Sequence, residues 1–267
     1  MFLCPVCKTP LQKQEKQYQC KNRHSFDIAR SGYVNLLRTS GQRIHGDDKR
    51  MVAARSAFLN KNYYQPLCEK TAELCVKYAV QDGALADCGC GECYYTAFIA
   101  QKLHGYMQVY GIDISKFALA AGARRNGEMK LAVASSKALP FANGSLDIVL
   151  NLFSPLQAEE FYRVLKPGGI LIRAVPLREH LLQLKRRIYE TPYENKTEKT
   201  DIPGFFLLEE QPVQYEFLLQ SNEDILNLFQ MTPYYYKTGR SDQAKLAELN
   251  TLSCTAAFGL LVYRRNL

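Results

Sequence analysis

The residues with the clearest capacity for chemistry lie at the start of the chain, where two pairs of metal-binding side chains flank a polar segment. Two residues separate Cys4 from Cys7, and twelve more precede Cys20, which His24 follows. Thiolates and imidazole nitrogens at this spacing bind zinc tetrahedrally, and four protein ligands leave no position open for a substrate. The sequence therefore predicts one structural zinc ion in a small ribbon, which is too short to bury a core of its own.

A second chemical motif follows a short apolar run in the middle of the chain. Asp87 ends that run, and Gly89, Gly91 and Glu92 come directly after it. Glycine has no Cβ and accepts positive φ, so backbone N–H groups there can approach a bound nucleoside closely. Asp113 ends the next apolar run, about 20 residues later, where nucleotide-binding α/β units place the carboxylate that holds ribose hydroxyls. The pattern predicts a nucleoside cofactor.

The elements that must position these side chains are strands and helices that alternate between residues 83 and 175. This alternation predicts a parallel sheet with helices on both faces and right-handed crossovers. Ligands of such sheets bind beyond the carboxyl ends of the strands. Asp87, Asp113, Asn151 and Ser154 all end predicted strands. Two late strands, near 213–219 and 257–263, would complete a seven-stranded sheet, and two helices, near 48–59 and 64–79, precede it.

Charge and cysteine usage limit the partners and the compartment. The net charge of the 267 residues is +8, and residues 1–60 alone carry an excess of seven positive charges, which favours a polyanionic partner at the N-terminal end. The sequence shows neither a leader peptide nor an apolar run of about 18 residues. We therefore expect a cytoplasmic protein without membrane contact, in which the nine cysteines are metal ligands or core residues rather than disulfides.

For several residues the sequence leaves two interpretations open. The aromatic residues Phe26 and Tyr33 either stack on unpaired bases of RNA or pack the ribbon against the rest of the protein. His180 is either a surface histidine or part of the cofactor cleft. The cysteines of the loop, Cys88, Cys90 and Cys93, are either substitutions within a nucleoside-binding loop or ligands of a second metal or an iron–sulfur cluster, although their spacing does not match that of radical enzymes.

Taken together, these motifs resemble those of the 23S rRNA guanine-N1 methyltransferases of the RlmA type. The resemblance covers nearly the whole chain, and its first two blocks are specific to the family. The blocks are Cys-Pro-x-Cys at 4–7, Cys-x3-His at 20–24 leading into Gly-Tyr-Val-Asn-Leu-Leu at 32–37, Tyr-Gln-Pro-Leu at 64–67, Gly-Cys-Gly-Glu at 89–92, Leu-Pro-Phe at 139–141, Phe-Ser-Pro at 153–155, Lys-Pro-Gly-Gly at 166–169 and Met-Thr-Pro at 231–233.

This resemblance implies a fold, two cofactors and a set of site residues. The fold is a Rossmann-like seven-stranded S-adenosylmethionine-dependent methyltransferase with an N-terminal zinc ribbon: residues 1–37 form the ribbon, 38–82 a linker with helices, and 83–267 the methyltransferase domain. The zinc ligands implied are Cys4, Cys7, Cys20 and His24. The residues implied at S-adenosylmethionine are Tyr64, Asp87, Gly89, Gly91, Glu92, Asp113, Ser135 and His180. Cys93 departs from the family pattern, because it replaces the third glycine of the loop.

The reaction implied is methylation of N1 of a guanine in a hairpin loop of 23S rRNA. Asn151, Phe153 and Ser154 occupy the strand end where related enzymes position the target base, and Phe153 either stacks on a flipped guanine or packs in the core. Two alternatives stay open: an RNA-binding protein with this fold but little turnover, and a methyltransferase of another RNA. The expected partner is the 23S rRNA hairpin, and a homodimer is also open.

Overall fold

The computed structural model describes residues 1–38, 46–125, 128–196 and 200–267. Within these ranges the strands are β1 (Leu11–Lys13), β2 (Gln17–Cys20), β3 (Ser25–Asp27), β4 (Tyr33–Asn35), β5 (Gly83–Cys88), β6 (Met107–Asp113), β7 (Lys130–Val133), β8 (Leu146–Leu152), β9 (Leu165–Pro176), β10 (Phe205–Leu219) and β11 (Leu252–Arg265). The helices are α1 (Lys49–Leu59), α2 (Gln65–Lys77), α3 (Tyr94–Lys102), α4 (Lys116–Gly122), α5 (Ala158–Val164), α6 (Leu182–Ile188), α7 (Asn222–Met231), α8 (Tyr234–Lys237) and α9 (Arg240–Ala244).

The large sheet has eight strands in the order β10-β11-β9-β8-β5-β6-β7-β4. The strands from β9 to β4 pair in parallel, and β11 and β10 are antiparallel. Strands β5, β6 and β7 run outward in chain order, and β8 then returns to the other side of β5. This reversal is the switch point at which open α/β sheets bind ligands. The predicted seven-stranded Rossmann-like fold is confirmed, and β4 adds an eighth strand at the edge.

The eighth strand was not predicted, and it joins the N-terminal segment to the large sheet. Tyr33, Val34 and Asn35 pair with residues 131–133 of β7, and the Leu36 N–H donates to the Val133 carbonyl (2.9 Å). A three-residue run gives too little periodicity to be distinguished from a loop. Its pairing with β7 is a tertiary contact, so local sequence does not reveal it.

The N-terminal ribbon is a three-stranded antiparallel sheet, β1-β2-β3, that packs against the large sheet through Phe2. The ring of Phe2 is buried and contacts Tyr18 of the ribbon and Tyr110 and Phe141 of the large domain, with ring centroids 5.8, 5.2 and 5.7 Å away. The Leu3 N–H also donates to the carbonyl of Pro140 (2.8 Å). The ribbon therefore shares one hydrophobic core with the large domain.

The Lys-Pro-Gly-Gly turn at 166–169 lies inside β9, where the pairing with β8 shifts register between Leu146 and Ile148 and Gly168 has φ +75°. Residues 39–45 of the linker predicted over 38–82 lie outside the described residues. Asp48 begins α1 as predicted, because its side chain accepts a hydrogen bond from the Met51 N–H (2.9 Å). Among described helices, none is long and apolar enough to span a bilayer.

Candidate active site

The four predicted zinc ligands converge at one end of the ribbon. Their ligand atoms all lie within 4.8 Å of one another. The Cys7 and Cys20 sulfurs are 3.6 Å apart, and His24 Nδ1 lies 3.6 Å from the Cys4 sulfur and 3.4 Å from that of Cys20. Tetrahedral zinc with Zn–S of about 2.3 Å and Zn–N of about 2.0 Å requires separations of roughly 3.5 to 3.8 Å. The donor set and its geometry fit zinc.

The loop cysteines do not form a second metal site. Within the described ranges, the zinc cluster is the only group of three or more candidate ligand side chains. The sulfurs of Cys90 and Cys93 are 3.7 Å apart, and both residues are buried. Burial also raises the pKa of the Cys88 and Cys90 thiols well above their usual value, which favours neutral thiols over thiolate ligands. The iron–sulfur alternative is therefore not supported.

The glycine loop folds back over the end of β6, as a nucleoside-binding loop requires. Gly89 and Gly91 have φ of +96° and +55°. The N–H groups of Gly89 and Cys90 both donate to the carbonyl of Ile112 (2.8 and 3.0 Å). A Cβ on Gly89 would lie 2.5 Å from Cβ of Ser154, so glycine is needed there for close packing as well as for its φ.

Cys93 is accommodated at the third glycine position by a neighbouring helix. Its φ is +61°, in the left-handed region that a glycine would adopt freely. Gly122 of α4 makes room for its side chain, because a Cβ on Gly122 would lie 2.5 Å from the Cys93 sulfur. The substitution therefore keeps the loop conformation and places the thiol in the core rather than in the cofactor cleft.

Asp113 connects this loop to the end of β6. Its Oδ2 accepts from the N–H of Gly91 (2.8 Å), and its Oδ1 accepts from the N–H of Ser115 (2.7 Å). Burial is the main cause that raises the pKa of Asp113, and both backbone donors oppose it. Each carboxylate oxygen retains a second lone pair for a ribose hydroxyl. Ser135 is half-buried two residues beyond β7, and the neighbouring Ala134 N–H donates to the Asp113 carbonyl (3.1 Å).

Asp87 and Glu92 are buried acids at the two ends of the loop. Asp87 Oδ2 accepts from the Thr96 hydroxyl (2.6 Å), whereas its buried Oδ1 has no hydrogen-bond partner among the described residues. Burial raises the pKa of Asp87 to about 7. Glu92 pairs with Arg125, whose Nε is 2.6 Å from Glu92 Oε2. The buried Asp87 carboxylate, which lies beside the glycine loop, thus lacks part of its hydrogen bonding. This is expected at a site that a cationic, polar ligand completes.

Tyr64 and His180 lie together in an aromatic group that extends to the loop. Their ring centroids are 6.2 Å apart, and Phe258 contacts both, at 5.1 Å from Tyr64 and 4.3 Å from His180. His180 is buried, so it is not the surface histidine that the sequence left open. Burial lowers its pKa to about 3. The ring is therefore neutral, and because Nδ1 accepts from the Ala257 N–H (3.3 Å), Nε2 carries the proton.

The three residues predicted at the end of β8 differ in their surroundings: Asn151 and Ser154 are hydrogen-bonded within the protein, whereas the ring of Phe153 is exposed. Asn151 Nδ2 donates to the Ser154 hydroxyl (2.6 Å), which donates to the Cys88 carbonyl (2.6 Å), and Asn151 Oδ1 accepts from Arg173 (3.1 Å). These bonds fix the turn against the glycine loop. Phe153 instead has φ +59° and is 47% exposed.

The sequence reasoning missed Arg55 and Asp47, which lie beside this site. They form an ion pair. Arg55 lies in the second half of α1 and Asp47 just before that helix, in a region predicted only as linker and helix. The available signal was the Gly-Asp pair at 46–47, followed by an arginine eight residues after the aspartate.

Comparison with known proteins agrees with this geometry. The family model described as RlmA, N-terminal, a zinc ribbon, matches residues 2–41, and a methyltransferase domain model matches residues 85–169. A relative from Micromonospora griseorubida that carries the name of a 23S rRNA (guanine-N1)-methyltransferase is 30% identical over 98% of this chain and 96% of its own length. The chain belongs to the family of 23S rRNA (guanine-N1)-methyltransferases.

Two further likenesses support the family and the fold. The Streptomyces fradiae 23S rRNA (guanine(748)-N(1))-methyltransferase is 36% identical over 68% of this chain, and the match spans 65% of that protein. The crystal structure of the YcgJ protein from Bacillus subtilis superposes with a TM-score of 0.51, at 16% identity, over 74% of this chain and 99% of that one. The predicted fold, the enzyme class and the two cofactors, S-adenosylmethionine and zinc, are confirmed.

Proposed function

We propose that this methyltransferase transfers the methyl group of S-adenosylmethionine to N1 of a guanine in a hairpin loop of 23S rRNA in the cytoplasm. The cofactor supplies a sulfonium-activated methyl group when bound. The protein must then align guanine N1 in line with that methyl group and exclude water. Transfer would break the S–CH3 bond, form the bond from N1 to the methyl carbon and release the N1 proton to solvent, with S-adenosylhomocysteine as the other product.

The position of Phe153 is the observation that supports the proposed base-binding site. Its exposed ring stands at the carboxyl end of β8, beside the glycine loop, on a strained backbone that the bonds of Asn151 and Ser154 hold in place. Tyr95 and Phe258 support the ring from behind, with centroids 6.2 and 5.3 Å away. An aromatic side chain fixed at a cofactor cleft is suited to stack on a flipped base.

The proposed cofactor contacts follow from the positions of the other residues. The loop at Gly89 and Gly91 would lie along the cofactor, and Asp113 would accept from its ribose hydroxyls, with Ser135 beside the adenine. Glu92, Tyr64 and His180 would face its amino-acid part. Asp87 fixes the loop through Thr96.

RNA binding is proposed for the positively charged ribbon, which the Phe2 contacts hold against the methyltransferase domain. β4, which follows the ribbon strands in the chain, pairs with β7 of the methyltransferase sheet. A bound hairpin could therefore contact the charges of the ribbon while its loop enters the cleft at Phe153. This arrangement favours a structured RNA over a small molecule as the substrate.

The test uses methyl-labelled S-adenosylmethionine, the zinc-loaded chain and a transcript of the 23S rRNA hairpin. We expect the label in 1-methylguanosine after digestion to nucleosides. Inosine in place of the loop guanines should still accept methyl, because inosine keeps N1 and lacks only the exocyclic amine. Label on that amine, or on no guanine of the transcript, would contradict the proposal.

The variant Phe153→Ala tests the base-binding position in the same assay. Loss of a stacked ring is worth about 1–3 kcal/mol, so methyl transfer should fall roughly 5- to 150-fold. Binding of S-adenosylhomocysteine should stay unchanged. Phe206→Ala is the matched control, because Phe206 is 66% exposed at the opposite end of the sheet. Equal rates for the two variants would remove Phe153 from the proposed site.

A further inference from the structure

Arg55 stands directly over the glycine loop, although it belongs to α1. A Cβ built on Gly91 would lie 3.4 Å from Arg55 Nη1. The side chain is 26% exposed, so it is held at the site while one side remains open to solvent. Gly91 thus has a cation above its backbone at the place where the loop faces the cofactor.

A short segment before α1 fixes this cation in place. The Ser115 hydroxyl donates to the Asp47 carbonyl (2.6 Å), which ties the segment to the turn after β6. Gly46 packs so closely that a Cβ there would lie 2.7 Å from Cγ2 of Ile114. Residues 46–55 therefore cover the end of β6, and Arg55 reaches the loop from above.

The charged groups around Arg55 indicate what kind of ligand its guanidinium can bind. Its Nη1 forms an ion pair with the Asp47 carboxylate, and its Nη2 donates to the Met231 carbonyl (3.5 Å). Its charge also acts on Asp113 and Glu92 and opposes the burial that raises the pKa of each. Both of these acids already have donors of their own, Gly91 and Arg125 respectively. Arg55 is thus a cation whose ion-pair partner is the half-buried Asp47 carboxylate, which a ligand carboxylate could replace.

We propose that Arg55 binds the α-carboxylate of the amino-acid part of S-adenosylmethionine, and that Asp47 is the internal counter-ion which that carboxylate displaces. The planar guanidinium matches a carboxylate with two parallel hydrogen bonds. The ion pair with Asp47 shows that a carboxylate fits at this position. The inference rests on the methyltransferase cofactor of the proposed function, but it does not depend on which RNA is methylated.

The test measures binding of two nucleosides to the full zinc-loaded chain by calorimetry, without RNA. S-adenosylhomocysteine carries the α-carboxylate, and 5′-methylthioadenosine lacks the whole amino-acid part. Arg55→Gln should weaken S-adenosylhomocysteine about 10- to 100-fold, as expected for a lost charged hydrogen bond, and leave 5′-methylthioadenosine unchanged. Arg55→Lys should recover part of the affinity, because it keeps the charge and loses the planar fork.

The matched control is Arg50→Gln, on the same helix. Arg50 is exposed and lies over the ring of Tyr235, 5.8 Å from its centroid, and we expect wild-type affinity for both nucleosides. Equal weakening of both nucleosides by Arg55→Gln would overturn the proposal, since it would indicate a general effect on the fold of the cleft. Unchanged binding of S-adenosylhomocysteine would overturn it as well. Failure of RNA methylation alone would count against the proposed function and not against this assignment.

Discussion

At the scale of single residues, the site depends on buried acids whose charge the protein alone only partly compensates. Asp87 is 1% exposed and receives one hydrogen bond, from Thr96. Asp113 receives two from backbone N–H groups, and Glu92 is paired with Arg125. Of the three carboxylates, that of Asp87 is therefore the least stabilised by hydrogen bonds and ion pairs. Its ionised form is costly in the protein without cofactor, because a buried carboxylate loses its hydration.

Asp87→Asn tests this cost through its pH dependence. Burial raises the folded pKa from 3.8 to about 7, so between these values the folded protein holds a proton that the unfolded chain has lost. The contribution of Asp87 to the stability of the wild type therefore falls as pH rises from about 4 to about 7. The asparagine variant lacks this loss, so its free energy of unfolding relative to wild type should rise over that window by up to about 4 kcal/mol.

The measurement is urea unfolding of both proteins at pH 4.5 and pH 7.5 in the absence of cofactor. The comparison at pH 4.5 serves as the control, because both side chains are then mostly neutral in the folded protein and the substitution itself sets the difference. A difference between the two proteins that is the same at both pH values would contradict the raised pKa of Asp87.

At the scale of elements, the turn after β8 and the glycine loop after β5 stabilise each other. Ser154 packs on Gly89 and donates to the Cys88 carbonyl, and Asn151 holds Ser154 in turn. Two residues predicted at the catalytic strand end thus form the support of the cofactor loop. Their position beyond β8 followed from the alternation of strands and helices, but their hydrogen bonds depend on the exact approach of two loops.

Gly89→Ala should disturb this contact. The new Cβ would meet Ser154 at 2.5 Å, and the backbone has φ +96°, so we expect a loss of roughly 2–4 kcal/mol from strain and overpacking. Binding of S-adenosylhomocysteine should fall as well. Gly105→Ala is the matched control, since Gly105 has φ +70° and open space around it, and should cost only about 1–2 kcal/mol. Equal losses in urea unfolding would exclude crowding against Ser154.

Among the elements, the long strands could be predicted from the sequence, whereas β4 and the position of Arg55 could not. The periodic strands β5, β6 and β8 and the acids at their ends were predictable, because their apolar runs are long and the ends of parallel strands meet at one edge. β4 is too short for a periodic signal, and it exists through pairing with β7. Arg55 is distant from Gly91 in sequence, and only the folding of α1 over the β6 end brings the two together.

At the scale of the whole molecule, strand pairing and side-chain packing both join the zinc ribbon to the methyltransferase domain. β4 extends the large sheet, and Phe2 packs between Tyr110 and Phe141. A ribbon held in this way keeps a fixed position relative to the cleft at Phe153. Zinc would stabilise the ribbon itself, whereas Phe2 stabilises its attachment.

Phe2→Ala separates these two contributions. Phe2 is 1% exposed, so its truncation should cost about 3–5 kcal/mol in urea unfolding. One zinc per chain should remain by elemental analysis, because Cys4, Cys7, Cys20 and His24 are unchanged. Methylation of the hairpin should fall while the affinity for S-adenosylhomocysteine persists. Loss of zinc together with Phe2 would indicate instead that the ribbon cannot fold without this contact.

The central claim is that this chain methylates N1 of one guanine in a 23S rRNA hairpin loop. The most direct test is to map methylated nucleotides in 23S rRNA from cells with and without the gene, by mass spectrometry of the excised hairpin. Reverse transcription provides the position, since a methyl group on N1 blocks base pairing. We predict 1-methylguanosine at one loop guanine only when the gene is present. Identical hairpins from both strains would contradict the account.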